Sequence, residues 1–325
     1  MADQTQVKVY HGYGHTHNLV IYGHVFKYRA AAQQLFSKHF LINLLHLIRL
    51  FIIKPYPFVR VQLHFGEQTF QQTTAYDGFF KFEWESITGI KAGWHSVKVE
   101  ALSDMGNVSA EGYGQVYVPH ITQYIFISDI DDTILVSHSA TWLKRLRELV
   151  LRNPRTRKTF PLAGQHYALL AQAHTNKGQP NPFFYVSSSE WNLYDYLVDI
   201  FRHQQLPEGI FLLNQLKRWN DLWRTGKTGH EGKLLRIARI MEAFPNQQFV
   251  LFGDNSQQDP EIYELLSEKY VSRIRAVYIR QVRSDRLLQN RDWLRRLNER
   301  GVAACLYTHS REAIIHSKKI SLIEG

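Results

Sequence analysis

The chain has 325 residues, 44% apolar and 13% aromatic, which is enough material for two domains with packed cores. Its single cysteine, Cys305, excludes an internal disulfide and a cysteine-rich zinc site, and no apolar stretch reaches the roughly 20 residues that a membrane-spanning helix needs. The net charge is +10, and residues 1–120 hold only 10 of the 39 Lys/Arg, so the later part of the chain should attract anions such as nucleic acid, acidic lipid or a phosphorylated substrate. The N-terminus shows no charged-then-apolar-then-small leader pattern, and a reducing, cytoplasmic setting is expected.

Residues 1–120 read as an antiparallel β-sandwich domain. Val59, Val61, Leu63 and Phe65 alternate with polar residues, as do Phe80, Phe82 and Trp84, and then His95, Val97, Val99 and Ala101. Period-two alternation marks strands with one buried face. Asp77-Gly78 reads as a hairpin turn before the second run. A helical insert is expected near residues 31–54. Between residues 40 and 53, 11 of 14 residues are apolar, and the exceptions Asn43, His46 and Arg49 fall on one narrow helical face before Pro55 ends the run. Such a helix either covers the sandwich or lies in a bilayer interface.

Residues 121–325 change texture. Apolar runs at 124–127, 183–186, 210–213, 249–252, 274–279 and 302–306 alternate with helical stretches such as 191–204, 231–244 and 260–270. Strand–helix alternation predicts a doubly wound, Rossmann-like α/β parallel sheet with its active site at the strand C-terminal ends. A small basic cap insert is expected near residues 140–163. Its segment 144–158 holds seven Lys/Arg, Arg157 among them, against one Glu.

Chemistry concentrates at the strand ends. The first run leads into Asp129-Ile130-Asp131-Asp132-Thr133, where clustered carboxylates repel each other unless a cation or a reaction uses them. The second run opens into Ser187-Ser188-Ser189, whose hydroxyls and amides can hold a phosphate oxygen, or else cap the following helix. Lys233 is placed at the start of a helix, where a lysine opposes the macrodipole and needs a nearby phosphate or carboxylate to justify it; Lys227 competes for that role. The fourth run ends in Gly253-Asp254-Asn255-Ser256-Gln257-Gln258-Asp259. There Gly253 is read as allowing a sharp exit from the sheet, and Asp254 and Asp259 as hard ligands suited to Mg²⁺. The plainer alternatives are a solvated lysine and a turn-rich loop with Asp259 capping the next helix.

The pattern strand-Asp-x-Asp-x-Thr at Asp129–Thr133 resembles the first motif of the haloacid-dehalogenase (HAD) phosphatases. Together with Tyr185–Tyr194, His230 to Lys233, Gly253–Glu261, and Tyr10–Gly14 and Asp77–Phe80 in the β domain, it resembles the actin-patch phosphatidate phosphatases and their bacterial relatives. The resemblance implies a HAD-like catalytic domain that removes phosphate from phosphatidic acid with Mg²⁺. It implies Asp129 as nucleophile, Asp131 as general acid/base, and Ser187 and Lys233 as phosphoryl ligands. It implies a metal held by Asp129, Asp254 and the main-chain carbonyl of Asp131, with Asp259 as a carboxylate that binds the metal directly or supports its ligands. Thr133, Ser188, Arg157 and Lys227 are candidate substrate-binding residues. The basic insert is expected to meet an anionic membrane surface, peripherally on its inner face, and no nucleic acid is expected as partner. Two rivals stand beside this reading: a phosphomonoesterase for soluble or nucleic-acid phosphates, and a non-catalytic lipid- or protein-binding module.

Overall fold

The computed structural model describes residues 5–29, 49–136, 157–176, 178–215 and 229–324. They fall into two compact units, the first of residues 5–29 and 49–120 with Gln215, and the second of the described residues from 121 onward other than Gln215.

In the first unit nine strands form one hydrogen-bonded sheet: β1 (Gln6–Val9), β2 (Gly12–His15), β3 (Asn18–Arg29), β4 (Ile53–Pro55), β5 (Arg60–Phe65), β6 (Gln68–Thr73), β7 (Phe79–Trp84), β8 (Gly93–Leu102) and β9 (Val108–Val118). The alternation seen in the sequence has its physical cause here. Val61 and Leu63 of β5, Phe80, Phe82 and Trp84 of β7, and Val97, Val99 and Ala101 of β8 all point into one buried cluster. Two expectations need correction. The sheet is not purely antiparallel, because β2 pairs parallel with β9, and β2 also pairs antiparallel with β3 and so joins what two separate sheets would keep apart. The turn at Asp77-Gly78 forms, with Gly78 at φ 78, but β7 then pairs with β3 rather than with β6, so it is an arch and not a hairpin. A local turn signal fixes the reversal of the chain and not the partner. Of the expected helix at 40–53, residues 49–51 are helical and 40–48 lie outside the described residues.

The second unit is a six-stranded parallel sheet in the order β12-β11-β10-β13-β14-β15. Its strands are β10 (Ile125–Ser128), β11 (Phe183–Glu190), β12 (Gly209–Asn214), β13 (Phe249–Asp254), β14 (Ile274–Arg280) and β15 (Ala303–Tyr307). Among the described residues, six helices connect or follow them: α1 (Ala163–Ala171), α2 (Tyr194–His203), α3 (Gly229–Ala243), α4 (Asp259–Lys269), α5 (Leu287–Glu299) and α6 (Ser310–Lys319). Every residue of β10 and β13 is buried, which explains their unbroken apolar runs. Numbered within this sheet the order is 3-2-1-4-5-6, which reverses between β10 and β13. A ligand cleft is expected outside the strand ends at that reversal. The basic segment 140–156 lies outside the described residues. The chain that follows it returns to the sheet, because Val136 N–H donates to Lys158 O at 3.0 Å and Phe160 N–H to Ile134 O at 3.0 Å.

Candidate active site

The chain leaves β10 in a tight turn. Asp129 N–H donates to Phe252 O at 2.9 Å, and the N–H groups of Ile134 and Leu135 both donate to Ile130 O at 3.0 Å. Asp132 sits at φ 61, a left-handed conformation uncommon outside glycine and typical of strained sites. Ser128 Oγ donates to Asp129 O at 2.6 Å and meets the Tyr167 hydroxyl of α1 at 2.7 Å, so the turn is also held from below.

Asp129, Asp254 and Asp259 converge there, with one carboxylate oxygen of each inside a span of 4.8 Å. All three are buried, at 2%, 0% and 0% exposure. The sheet brings the first two together through the β10–β13 pairing, where Ser128 stands opposite Phe252. Asp259 opens α4 and is drawn back over β13. Its Oδ2 accepts the Asp254 N–H at 3.2 Å and would lie 2.5 Å from a Cβ at position 253. Gly253 therefore supplies space for a carboxylate rather than a bend, since the strand continues through it to Asp254.

Lys233 is placed among these acids. Its Nζ donates to Asp129 Oδ1 at 2.8 Å and to Asp259 Oδ1 at 2.5 Å, and the side chain is buried. The helix α3 starts four residues earlier, at Gly229, so Lys233 occupies its second turn rather than its start. The carboxylates, not the end of the helix, account for its position. Burial lowers the affinity of this amine for its proton, but Asp129 and Asp259 outweigh it and leave the ammonium more firmly protonated than usual. Burial pushes Asp129 well above the carboxylate range; Lys233 opposes this, and the neighbouring acids add to it. Burial, with Asp259 close by, raises Asp254 to about 7 against the hydrogen bond it accepts from Ser256.

Three carboxylates and one ammonium carry a formal charge of −2 when all are ionised. Asp254 Oδ2 is buried with no hydrogen-bond partner, a costly state for an anionic oxygen. Hard oxygens, a deficit of two positive charges and an orphaned acceptor together fit a divalent cation such as Mg²⁺.

Other expected residues stand around this group. Thr133 Oγ1 donates to Asp129 Oδ2 at 3.3 Å. Asp131 turns its carboxylate elsewhere: Oδ1 is 3.6 Å from the Arg157 guanidinium, and Oδ2 accepts from Ser189 Oγ at 3.4 Å. Arg157 is buried, and its Nε and one terminal nitrogen have no partner. Ser187 lies two residues past Tyr185, the partner of Ser128, and its Oγ accepts the Ser189 N–H at 3.0 Å. Asn214 Nδ2 donates to the Ser188 carbonyl at 3.2 Å. Lys227 lies outside the described residues.

One residue escaped the sequence reading. Arg280, at the end of β14, is buried, donates through Nε to Thr133 O at 2.9 Å, and stacks between Phe160 and Tyr307 at 4.0 and 4.6 Å. It ties the loop after β10 to Thr308 O and Ser310 Oγ at the foot of α6. The available signal was an arginine closing an otherwise apolar strand.

A doubly wound α/β unit with buried acids and a lysine at its switch point has groups that could hold a cation beside an anionic group. Residues 124–281 match the family model described as phosphatidate phosphatase APP1, catalytic domain, the family that the motifs resemble. The chain is 31% identical over 98 residues to phosphatidate phosphatase APP1 of Saccharomyces cerevisiae, covering 30% of this chain and 16% of that protein. It is 25% identical over 161 residues to an uncharacterized protein of Schizosaccharomyces pombe, covering 49% of this chain and 25% of that one. The chain thus spans a quarter or less of the length of these curated relatives. Among solved structures, a carbohydrate acetylesterase from Xanthomonas citri is similar at 10% identity and a TM-score of 0.29, over 84% of this chain and 66% of that one.

Proposed function

We propose that this chain is a Mg²⁺-dependent phosphatidate phosphatase with a HAD-like catalytic domain, which hydrolyses phosphatidic acid to diacylglycerol and phosphate through an aspartyl-phosphate. The observation that carries the reading is the convergence of Asp129, Asp254 and Asp259 on Lys233 at the sheet's switch point. The catalytic-domain match over residues 124–281 supports the substrate class.

Asp129, Asp254 and Asp259 would hold the ion, with the main-chain carbonyl of Asp131 as a further ligand. When bound, Mg²⁺ supplies positive charge that offsets the repulsion between a phosphate dianion and the carboxylates. Lys233 adds a second positive charge beside Asp129 and stabilises the charge spread over the phosphoryl oxygens. An oxygen of Asp129 attacks phosphorus and forms an acyl phosphate as the phosphorus–glycerol oxygen bond breaks. Asp131 gives its proton to the departing oxygen, and diacylglycerol leaves. A water then attacks the phosphorus, Asp131 takes up its proton, and Asp129 is released with inorganic phosphate. Thr133 orients Asp129 through the hydrogen bond to Oδ2. Ser187 and the Ser188 segment, at the end of the neighbouring strand, bind phosphoryl oxygens, and Arg157 offers its two unpaired donors to them. Ser189 and Arg157 hold the Asp131 carboxylate through its own contacts, beside the metal-binding group.

The substrate lies in a membrane, and no described helix is long and apolar enough to cross one, so the proposed association is peripheral, at the cytoplasmic face. The test is release of phosphate from phosphatidate in mixed micelles with Mg²⁺, compared with release from a phosphorylated oligonucleotide. Asp129→Asn is expected to lose at least roughly a thousandfold in turnover. Undiminished turnover by that variant would remove the nucleophile from the scheme. Preference for the oligonucleotide would replace the substrate and keep the chemistry.

A further inference from the structure

The first unit carries a feature that the chemistry above does not use. Arg60 opens β5 and pairs with Thr73, the last residue of β6, on one side and with Leu102, the last residue of β8, on the other. The loop before β5 and the loops after β6 and β8 therefore leave the sheet at the same end. Each presents one large apolar side chain to solvent: Phe58 at 71% exposure, Tyr76 at 66% and Met105 at 91%.

These tips are held in place. Thr74, buried at the base, donates through Oγ1 to Tyr56 O at 3.0 Å and accepts the Val59 N–H at 3.0 Å, so the first two loops are pinned together. Arg60 donates to Ser103 O at 3.1 Å and Asp104 O at 3.0 Å, which ties the third loop to the same strand. Phe58 has φ 56, a left-handed conformation unfavourable for a bulky side chain. The fold thus holds an exposed aromatic ring at a strained turn, which solubility alone gives no reason to keep.

We propose that this end of the β domain is a membrane-docking surface, whose three tips enter the interfacial layer of a bilayer containing phosphatidate. The occupant is read from shape and chemistry. Three exposed side chains on loops fixed at one end of the sheet suit a fluid layer that needs no matching shape, and Phe, Tyr and Met are amphipathic or polarizable anchors suited to the headgroup boundary. Lys54, exposed on β4, and Lys27, whose Nζ lies 4.4 Å from the Tyr56 ring centroid, stand on paired strands at the same end and offset Asp77 and Asp104 beside two of the tips, so the apolar anchors meet an anionic headgroup layer without a net opposing charge. In sequence, the apolar stretch 40–53 leads directly into β4 and this first loop. The inference deepens the phosphatase reading by naming how the chain meets a lipid substrate, and it rests on that reading for its purpose.

The experiment is flotation of the full chain with vesicles of phosphatidylcholine containing phosphatidate. The variants are Phe58→Asn combined with Tyr76→Ser and Met105→Ser, where Asn accepts the left-handed turn, and Ile87→Ser as a control. Ile87 is 74% exposed, but its N–H donates to the Gln68 side chain at the opposite end of the sheet. We expect the wild type and Ile87→Ser to float alike. The triple variant should partition at least roughly tenfold less, with an unchanged melting temperature and unchanged hydrolysis of a soluble phosphomonoester. A triple variant that floats like the wild type, or a wild type that does not float, would overturn the proposal. Loss of soluble phosphomonoester hydrolysis in the wild type would instead strike the phosphatase reading, and flotation would still decide the docking surface.

Discussion

Removing the divalent ion should make the catalytic unit less stable as pH rises, and restoring it should reverse that trend. In the ion-free site, burial and the neighbouring Asp259 raise the Asp254 carboxyl from 3.8 to about 7. The folded state then binds a proton that the unfolded chain has already released. Stability from this group is fully present below about pH 4 and is lost as pH rises toward about 7. A displacement of about three pH units corresponds to about 4 kcal/mol at most. Asp129 is displaced in the same direction, and Lys233, held firmly protonated, limits the loss for both. An ion seated between the carboxylates removes the advantage of the proton, so Mg²⁺ should stabilise strongly at pH 8 and little at pH 5. The assay is thermal or denaturant unfolding across pH 5 to 8.5 in chelator and in excess Mg²⁺, with Ca²⁺ as a comparison for ion size. A chelated protein that gains stability with pH over this window, or a Mg²⁺ effect of equal size at both ends, would refute the electrostatic account of the site.

Three further substitutions probe the same group. Lys233→Met leaves the carboxylates without their ammonium; it should cost about 3–5 kcal/mol at pH 8 and less at pH 5.5, as read by unfolding in chelator. Gly253→Ala places a methyl 2.5 Å from Asp259 Oδ2; it should cost about 1–3 kcal/mol and weaken Mg²⁺ binding about 10–100-fold by moving a ligand, as measured by calorimetric titration. Arg157→Gln removes two unpaired buried donors; if they serve phosphoryl oxygens at about 1.5–3 kcal/mol, inhibition by inorganic phosphate should weaken about 10–100-fold while Mg²⁺ affinity holds. Unchanged phosphate inhibition would confine Arg157 to pairing with Asp131.

The apolar runs of the second unit could be placed from the sequence because strands buried on both faces must be apolar throughout. Some strand ends could be placed because polar residues return there abruptly, as at Asp129 after Ile127 and Ser128; β11 was read as ending at Val186 but runs to Glu190, because its serines stay largely buried along the sheet. The alternation in β5, β7 and β8 was equally legible, since one face of each strand packs on the core. Asp129, Ser187 and Asp254 stood out by position, since a polar group following a buried apolar run has few other reasons to be there; Lys233 stood out on a helix, and the roles came from the resemblance.

The sequence by itself thus determined the six strands of the second unit, three strands of the first, three of the helices, and the polar residues that follow the buried runs, because periodicity and burial are local consequences of composition. The tertiary structure alone decided which strands are neighbours. Only the β10–β13 pairing brings Asp254 beside Asp129, and only the β3–β7 pairing turns the Asp77-Gly78 reversal into an arch. It also decided that Lys233 faces Asp129 and Asp259 and that Gly253 makes room for a carboxylate. It placed Arg280 beneath Thr133, 147 residues away along the chain. Such contacts depend on distances between chain segments far apart in sequence, which no local pattern encodes.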